Sequence, residues 1–305
     1  MDTSMTALVS AFARAWHSAQ RGTKIFDDTV AQRLLTEEEF RRISENMAQG
    51  IRFFDPAFAG TPEEALCRIV ERQLAPQPLA RAAFAEKALG NAVRLGAAQV
   101  VLLGAGYDTF AYRQPDWARN IRIFELDRPD VLRDKQLRLA RAGIAVPDNV
   151  TYIGADLAEG GWPSALTQTQ PFDPRRRSFC TALGLVCYLE RKTFAALLAA
   201  LARLMPEGST LVFDYPDGAS HTAQAGERAR CQAALAAAAG EPMQPGYAYR
   251  ELEALLAEHG FLIYEHLTPE EMTAQVFAPY NRENPAHAMT AFDNVAYCLA
   301  VRRRI

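Results

Sequence analysis

A short turn with two glycines, Gly104-Ala105-Gly106, lies between an apolar run and an acidic residue, Asp108. The run before it, residues 99–103, is rich in β-branched residues and predicts a buried strand. Glycines at the carboxyl end of a strand let the backbone approach a ligand because no Cβ stands in the way, and α/β proteins bind nucleotide-like ligands there. The pattern predicts a ligand-binding turn at Gly104, Ala105 and Gly106, with Asp108 as the N-cap of the next helix.

The same turn narrows the class of ligand. A dinucleotide fingerprint needs a third glycine, which would fall at Thr109, and the chain has no Gly-Lys-Ser/Thr sequence that would form a phosphate-binding loop. S-adenosylmethionine, which contains an adenosine and an amino acid but no phosphate, is the remaining common ligand of such a turn. A nicotinamide-dependent oxidoreductase is the alternative, and a lone Gly-x-Gly turn also occurs with nothing bound.

Acidic residues end the next two predicted strands. Glu125 and Asp127 lie in the second strand, 121–127, and alternation places both side chains on one face. A carboxylate at this point accepts hydrogen bonds from the two ribose hydroxyls, although a strand-end acid also serves as a simple cap for the next helix. The third strand ends in Asp156-Leu157, where the carboxylate suits the adenine amino group and the leucine suits its ring.

The fourth predicted strand, 178–183, runs into a turn that contains Tyr188. This strand end is expected to pass beneath the sulfonium, between the cofactor and the methyl acceptor. Tyr188 is therefore the candidate catalytic or substrate-contacting residue. A core tyrosine whose hydroxyl is satisfied inside the protein is the alternative.

Strands and helices alternate from residue 99 to the end of the chain. The predicted strands are 99–103, 121–127, 150–156, 178–183, 210–215, 261–265 and 294–302. The predicted helices of this part are 130–141, 190–204, 225–239 and 249–259. The alternation predicts an α/β fold with a mostly parallel seven-stranded sheet and helices on both faces, and we expect the last strand to close an edge.

The front of the chain is predicted to be helical. Residues 1–93 are expected to form a helical lid over the ligand edge of the sheet, with one helix at 28–35 and another that starts near Leu79, after a break at 76–78. Residues 94–305 are expected to form the ligand-binding domain, with a helical insertion at about 217–249. The aromatic side chains predicted to line an acceptor pocket are Phe53, Phe54, Tyr215 and Tyr247.

Composition excludes several classes of protein. The 305 residues are 49% hydrophobic and 23% charged, as in ordinary globular enzymes. A net charge of -3 without a long basic run argues against a nucleic-acid partner, and no run reaches membrane-spanning length, which argues against a membrane partner. The five cysteines and five histidines are scattered without metal-ligand spacing, which predicts a cytoplasmic protein without a metal.

Two longer motifs resemble a known family. They are the run 103–113, Leu-Gly-Ala-Gly-Tyr-Asp-Thr-Phe-Ala-Tyr-Arg, and the run 124–129, Phe-Glu-Leu-Asp-Arg-Pro, followed by Lys135. Flanking segments that also match are 10–17, 24–28, 79–86 and 213–216. Together these segments resemble the leucine carboxyl methyltransferase family, and most of all its bacterial branch of polyketide-synthesis O-methyltransferases.

The resemblance implies a Rossmann-like class I methyltransferase fold, with S-adenosyl-L-methionine as cofactor and S-adenosyl-L-homocysteine as product. By motif position, Arg81 pairs with the methionine carboxylate, which suits a guanidinium because it binds carboxylates through two parallel hydrogen bonds. The glycine turn approaches the methionine moiety, and Asp127 holds the ribose. Asp156 and Leu157 hold the adenine.

The sequence departs from the family at one position. Many relatives have a glutamate on the fourth strand next to the glycine of the following turn, and this chain has Leu183 there. Leu183 is therefore expected beside the methionine moiety, where the carboxylate contact to the methionine amine is missing or supplied elsewhere. The resemblance also suggests that Arg14 or His17 of the first helix reaches the carboxylate end of the cofactor.

The predicted activity is O-methylation of a carboxylate or hydroxyl group on a small-molecule acceptor, by a monomer or homodimer. The chemistry is an in-line displacement, for which the protein mainly aligns the reactants. A carboxylate is ionised at neutral pH and needs no general base, whereas a hydroxyl needs one. The alternatives are the nicotinamide-dependent oxidoreductase and a non-catalytic protein that binds S-adenosylmethionine.

Overall fold

A sheet of seven strands forms the centre of the molecule. The computed structural model describes residues 5–238, 240 and 242–303. The strands are β1 (Gln99–Leu103), β2 (Arg122–Asp127), β3 (Val150–Gly154), β4 (Ser178–Ala182), β5 (Thr210–Pro216), β6 (Phe261–Leu267) and β7 (Val295–Arg302). They lie in the order β3-β2-β1-β4-β5-β7-β6. The neighbouring strands among β1 to β5 pair in parallel, whereas β7 is antiparallel to both β5 and β6.

The predicted mostly parallel sheet is confirmed, but the predicted place of the last strand is wrong. β7 does not close an edge, because it lies between β5 and β6. The burial of the two strands gives the physical reason. Six successive residues of β7 are buried, as suits an internal strand, whereas only the first and last residues of β6 are buried, as suits an edge.

Helices cover both faces of the sheet and the edge that the strand ends form. The helices before the sheet are α1 (Met5–Ala19), α2 (Ala31–Leu34), α3 (Glu37–Gln49), α4 (Ile51–Phe54), α5 (Pro62–Ile69) and α6 (Pro76–Arg94). Those that follow are α7 (Pro129–Arg141), α8 (Trp162–Gln168), α9 (Arg191–Leu204), α10 (Glu227–Ala238), α11 (Tyr249–Glu258), α12 (Pro269–Met272) and α13 (Ala278–Glu283). A π-helical turn, Val70–Leu74, joins α5 to α6.

Two predicted helix starts are shifted for local reasons. The helix predicted at 28–35 shrinks to α2, because the Asp28 carboxylate accepts hydrogen bonds from the backbone N–H groups of Val30 and Ala31 and so caps the helix from outside. The helix predicted to start near Leu79 starts at Pro76 instead. Proline suits this first position because its fixed φ is helical and it has no N–H to leave unpaired.

Alternate residues of each central strand face two separate cores. Val100 and Leu102 of β1 point to the face that α1 and α6 cover. Val101 and Leu103 point to the opposite face, under α8, α9 and α11. All four side chains are at most 5% exposed, so the sheet is buried on both sides and its functional groups lie at the strand ends.

The helical front of the chain shares a core with the sheet. Leu8 and Phe12 of α1 belong to the same buried cluster as Leu79 of α6 and Val100 of β1. The predicted boundary between residues 1–93 and 94–305 remains a prediction, and residues 1–4 lie outside the described part of the chain. Within that part, none of the helices is long and apolar enough to cross a membrane.

Candidate functional site

A cleft of about 640 Å³ opens where the strand order of the sheet reverses. β1 has β2 on one side and β4 on the other, so the loops after these strands diverge and leave a crevice at their carboxyl ends. Ten of the residues predicted from the sequence line this cleft. They are Arg81, Gly104, Ala105, Gly106, Asp108, Asp127, Asp156, Leu157, Leu183 and Tyr188.

The glycine turn and Asp127 form one hydrogen-bonded unit. Gly104 has φ 67° and Gly106 has φ 44°, values that L side chains rarely adopt. The N–H of Gly106 donates to Oδ2 of Asp127 at 2.7 Å, and the N–H of Arg128 donates to Oδ1 at 2.7 Å. Burial raises the pKa of Asp127, although these two backbone donors favour the ionised form. The carboxylate is thus fixed at the rim of the cleft with lone pairs left for a ligand.

The prediction that Asp108 is the N-cap of an α-helix is wrong, because no α-helix begins at this residue. Its Oδ1 accepts a hydrogen bond from the N–H of Phe110 at 2.8 Å, and a short 3-10 turn, Phe110–Tyr112, follows. A second 3-10 turn, Asp116–Ala118, completes the connection to β2. The side chain therefore caps a tight turn at the floor of the cleft.

The loop after β3 contains the next two predicted site residues, Asp156 and Leu157. Oδ1 of Asp156 accepts a hydrogen bond from the N–H of Ala158 at 2.8 Å. Leu157 beside it is 8% exposed and lines the cleft with its apolar side chain. A carboxylate held by its own loop next to a buried leucine offers an acceptor and a flat apolar contact to the same ligand group.

Glu125 does not reach the cleft. Its side chain is fully buried, and its Oε2 accepts a hydrogen bond from Nζ of Lys135 on α7 at 2.6 Å. The side chains of Glu125 and Asp127 lie on the same face of β2, as alternation predicts, but Glu125 is two residues further from the strand end and therefore deeper in the sheet. Glu125 and Lys135 therefore form an internal ion pair that fastens α7 to β2.

Removing one partner of this ion pair is expected to destabilise the fold strongly. Lys135→Met leaves the Glu125 carboxylate buried without a counter-charge, so we expect the free energy of unfolding to fall by about 3–5 kcal/mol. Chemical denaturation measures this loss. Lys192→Met is the control, because Lys192 pairs with Glu190 on the surface and both side chains are mostly exposed. Equal stability of the two variants would show that the buried pair contributes nothing.

Arg81 lies across the turn that follows β4. A Cβ on Gly184 would lie 2.7 Å from Cζ of Arg81 and closer still to Nη1, so the guanidinium packs directly on this glycine. Nη2 of Arg81 donates to Oγ of Ser10 at 3.2 Å, and Nη1 lies 3.7 Å from Oδ2 of Asp214. The guanidinium is thereby presented to the cleft from α6, between α1 and the end of β4.

Asp214 is a residue that the sequence analysis did not single out. It lies near the end of β5 and is 2% exposed. Its Oδ1 accepts a hydrogen bond from the N–H of Gly184 at 2.6 Å, and its Oδ2 accepts one from Nε2 of Gln77 at 3.0 Å. A carboxylate is thus present beside the turn that begins at Leu183, but it belongs to the next strand, and its oxygens accept from the backbone of Gly184 and the side chain of Gln77. An acidic residue inside the apolar run 210–216 is the signal that could have identified it.

Comparison with known proteins agrees with this geometry. The leucine carboxyl methyltransferase family model matches residues 7–202. The chain belongs to the leucine carboxyl methyltransferase family. This membership makes it an S-adenosyl-L-methionine-dependent methyltransferase. Membership of this family does not favour the alternative function, a nicotinamide-dependent oxidoreductase, with which the acidic end of β2 is also compatible.

Several bacterial proteins are similar to this methyltransferase. A Bacillus subtilis (strain 168) protein named as an S-adenosyl-L-methionine-dependent methyltransferase, YktD, is 38% identical over 99% of both chains. A Frankia alni protein named in the same way is 35% identical over 69% of this chain and 68% of its own. Among solved structures, a DUF574 family protein from Streptomyces avermitilis has a TM-score of 0.56 at 19% identity, covering 86% of this chain and 100% of its own, which supports the fold.

The first helix of the methyltransferase is tied to the loop after β1. Arg14 of α1 donates from Nη2 to the backbone oxygen of Tyr107 at 2.7 Å and from Nε to Oδ2 of Asp28 at 2.8 Å. The Thr109 hydroxyl donates to the other Asp28 oxygen at 2.7 Å. Although burial opposes it, Arg14 and Arg113 hold the pKa of Asp28 below its usual value. Tyr107 and Thr109 of the family motif therefore help to hold α1 over the cleft.

Of the two residues suggested on α1, only Arg14 borders the cleft. His17 is fully buried, and its Nε2 accepts a hydrogen bond from the N–H of Ile25 at 3.0 Å. Burial lowers the pKa of His17 to about 4, so the imidazole is neutral at physiological pH. His17 thus shapes the turn after α1 and does not face a ligand.

The four aromatic residues predicted to line the acceptor pocket do not line this cleft. Phe53 is 53% exposed, whereas Tyr215 and Tyr247 are buried in the core. The end of the cleft beyond β4 is formed instead by apolar and amide side chains from α1, the π-helical turn, α6, the turn after β4, α10 and the loop before α11. They include Val9, Gln73, Leu74, Gln77, Leu185, Leu189, Gln232, Met243 and Gln244.

Proposed function

We propose that this methyltransferase transfers a methyl group to an oxygen of a small-molecule acceptor, and that a carboxylate is the preferred acceptor. The observation that supports methyl transfer from S-adenosylmethionine at this site is the convergence of Asp127, Asp156 and Arg81 on one cleft at the point where the strand order reverses. These three side chains match the three polar parts of the cofactor, which are the ribose, the adenine and the methionine carboxylate.

In the proposal, the residues at or just after the end of each strand bind a different part of the cofactor. In the proposal, Asp127 accepts hydrogen bonds from the ribose hydroxyls, and Asp156 accepts from the adenine amino group while Leu157 packs on the ring. Gly104 and Gly106 expose their backbone to the methionine moiety. Two further side chains complete this end, Arg81 at the carboxylate and Leu183 against the methylene groups.

The chain's contribution to the reaction is alignment. When bound, the cofactor supplies an activated methyl group on a positively charged sulfur. As the acceptor oxygen forms a bond to the methyl carbon, the carbon–sulfur bond breaks and its electron pair stays on sulfur, so the positive charge disappears. The turn after β4, which contains Tyr188, lies between the glycine turn and the acceptor end of the cleft. We propose that Tyr188 contacts the acceptor and helps to align it with the methyl group.

The acceptor end supports a carboxylate for a chemical reason. A carboxylate is ionised at neutral pH and attacks without a general base. Gln77 and Gln232 each already use one amide hydrogen, because Nε2 of Gln77 donates to Asp214 and Nε2 of Gln232 donates to Oε1 of Gln77. Their second amide hydrogens and those of Gln244 are the donors proposed for an anionic oxygen, and the apolar side chains of Val9 and Met243 fit a hydrocarbon body. An acidic phenol is the second class of methyl acceptor that these side chains would bind.

A transfer assay tests the proposal. The protein is incubated with methyl-labelled S-adenosylmethionine and a panel of aliphatic acids, aryl acids and phenols. We expect label in products that release methanol in mild alkali, because methyl esters hydrolyse there and methyl ethers do not. Label on nitrogen or carbon would contradict the proposal. Tight cofactor binding without transfer to any acceptor would instead favour the non-catalytic binding protein.

A further inference from the structure

Three metal-ligating side chains meet away from the cleft, on the outer side of the π-helical turn. They are Cys67 of α5, Glu71 of the π-helical turn and His287 of a 3-10 turn, Pro285–His287. Nδ1 of His287 lies 2.9 Å from Oε1 of Glu71 and 3.7 Å from Sγ of Cys67. The three ligand atoms all lie within 4.8 Å of one another.

Local structure explains why they converge. Cys67 and Glu71 are four residues apart on continuous helical backbone, so both side chains lie on one face. That backbone passes into a π-helical turn at this point, a local widening that is frequent at functional sites. His287 lies 220 residues after Cys67 in the sequence, so no local spacing of ligand residues indicates the cluster.

The geometry differs from that of a nucleophile with its base. A Cys–His–Glu triad needs the thiol on one imidazole nitrogen and the carboxylate on the other. Here both approach Nδ1 of His287.

We propose that Cys67, Glu71 and His287 form a site for one Zn²⁺ ion. A thiolate, an imidazole and a carboxylate are the three donor types that zinc uses in proteins. With tetrahedral angles and usual bond lengths, zinc-bound sulfur and nitrogen stand roughly 3.5 Å apart, close to the separation in this cluster. The fourth position would face solvent and take a water ligand, because 55% of the His287 side chain is exposed.

The release of a proton on zinc binding is a measurable property of the proposed site. Nδ1 of His287 lies 2.9 Å from Oε1 of Glu71, so a proton carried by Nδ1 in the metal-free protein would be directed at Glu71. Binding takes the Sγ proton of Cys67 into solution, and the His287 proton moves to Nε2 in the neutral ring. Tyr280 of α13 also faces Cys67 and Glu71 and stays protonated, because burial raises its pKa to about 12. Zinc binding therefore releases about one proton and strengthens as the pH rises.

An ion here would join the two ends of the chain beside the cleft. Gln73 and Leu74 follow Glu71 in the same π-helical turn and line the acceptor end. Fixing Glu71 to Cys67 and His287 thus restrains the backbone that carries these two side chains. This inference does not depend on the identity of the methyl acceptor.

Calorimetric titration of Zn²⁺ into chelator-treated protein without an affinity tag tests the site. We expect one equivalent to bind, with a heat that differs between buffers of different ionisation enthalpy because a proton is released. Co²⁺ in place of Zn²⁺ is expected to give a near-ultraviolet thiolate-to-cobalt absorption band. Cys67→Ser and His287→Gln are each expected to weaken binding at least about 10-fold, and Cys67→Ser removes the band.

Cys231→Ser is the matched control, because Cys231 is the other partly exposed cysteine and is not part of the cluster. It should bind zinc as the wild type does. Cys67 and His287 are both partly exposed, so their substitutions are expected to fold. The proposal is wrong if the wild type binds no stoichiometric zinc, or if Cys67→Ser binds it equally well with the same cobalt spectrum.

Discussion

Asp127→Asn is expected to weaken the binding of S-adenosylmethionine by about 10²–10³-fold. In the proposal, this carboxylate accepts hydrogen bonds from both ribose hydroxyls, and hydrogen bonds to a charged group contribute about 1.5–3 kcal/mol each. The amide of asparagine also turns a donor towards the N–H of Gly106 or Arg128, each of which now donates to the carboxylate. Calorimetric titration with S-adenosylmethionine and S-adenosylhomocysteine measures the loss.

The matched control for this variant is Asp130→Asn. Asp130 lies three residues further along the chain, is exposed, and pairs with the side chain of Arg128. Its substitution removes the same charge near the cleft without touching the glycine turn, so cofactor affinity should remain close to that of the wild type. Because burial raises the pKa of Asp127, wild-type affinity should also fall as the pH is lowered into the acidic range. Unchanged affinity in Asp127→Asn would contradict the proposed ribose contact.

Gly184→Ala is expected to displace Arg81 and to weaken binding of the cofactor by roughly 10–100-fold, the loss of about one charged hydrogen-bonded contact. The new methyl group would overlap the guanidinium. The loss should be confined to ligands with a carboxylate. S-adenosylmethionine and S-adenosylhomocysteine should both bind more weakly, whereas 5′-methylthioadenosine, which has no carboxylate, should bind as it does to the wild type.

A second glycine separates this effect from backbone strain. Gly143 has φ 62°, close to the 63° of Gly184, but a Cβ there would meet nothing within 4 Å. Gly143→Ala therefore carries a similar left-handed strain, about 1–2 kcal/mol, without touching Arg81. We expect the two variants to lose similar stability and only Gly184→Ala to lose cofactor affinity. Equal weakening of 5′-methylthioadenosine would show that the whole cleft, and not Arg81, had changed.

Sequence reasoning located the strands because each is a short apolar run between polar segments. The seven predicted strands differ from the observed ones by at most two residues at either end. The pattern did not establish which strand lies at the edge, because strand order depends on long-range pairing. The apolar run of β7 is a usable signal for an internal strand, whereas the prediction places this strand at an edge.

The prediction for Glu125 shows the limit of periodicity. Alternation indicates which face of a strand a side chain occupies but not how deep it lies below the edge of the sheet. Glu125 and Asp127 share a face, yet two residues of strand separate them by about 7 Å. That distance places one carboxylate in the cleft and the other beside Lys135 in the core.

Other parts of the site depend on contacts between distant segments. Asp214 reaches the turn after β4 only because β5 pairs with β4. The prediction that Phe53 and Tyr215 line the acceptor pocket depends on residue type alone. Residue type does not distinguish an aromatic side chain that lines a pocket from one that is buried in the core. The cluster of Cys67 and His287 joins positions 220 residues apart, so the expectation of no metal site rested on local spacing only.

A crystal structure of the protein with S-adenosylhomocysteine bound tests the central claim most directly. The account predicts the ligand in the cleft between the ends of β1, β2, β3 and β4, with its ribose hydroxyls on Asp127 and its carboxylate on Arg81. The adenine should contact Asp156. Ligand density in another cavity, or a carboxylate directed away from Arg81, would contradict the account.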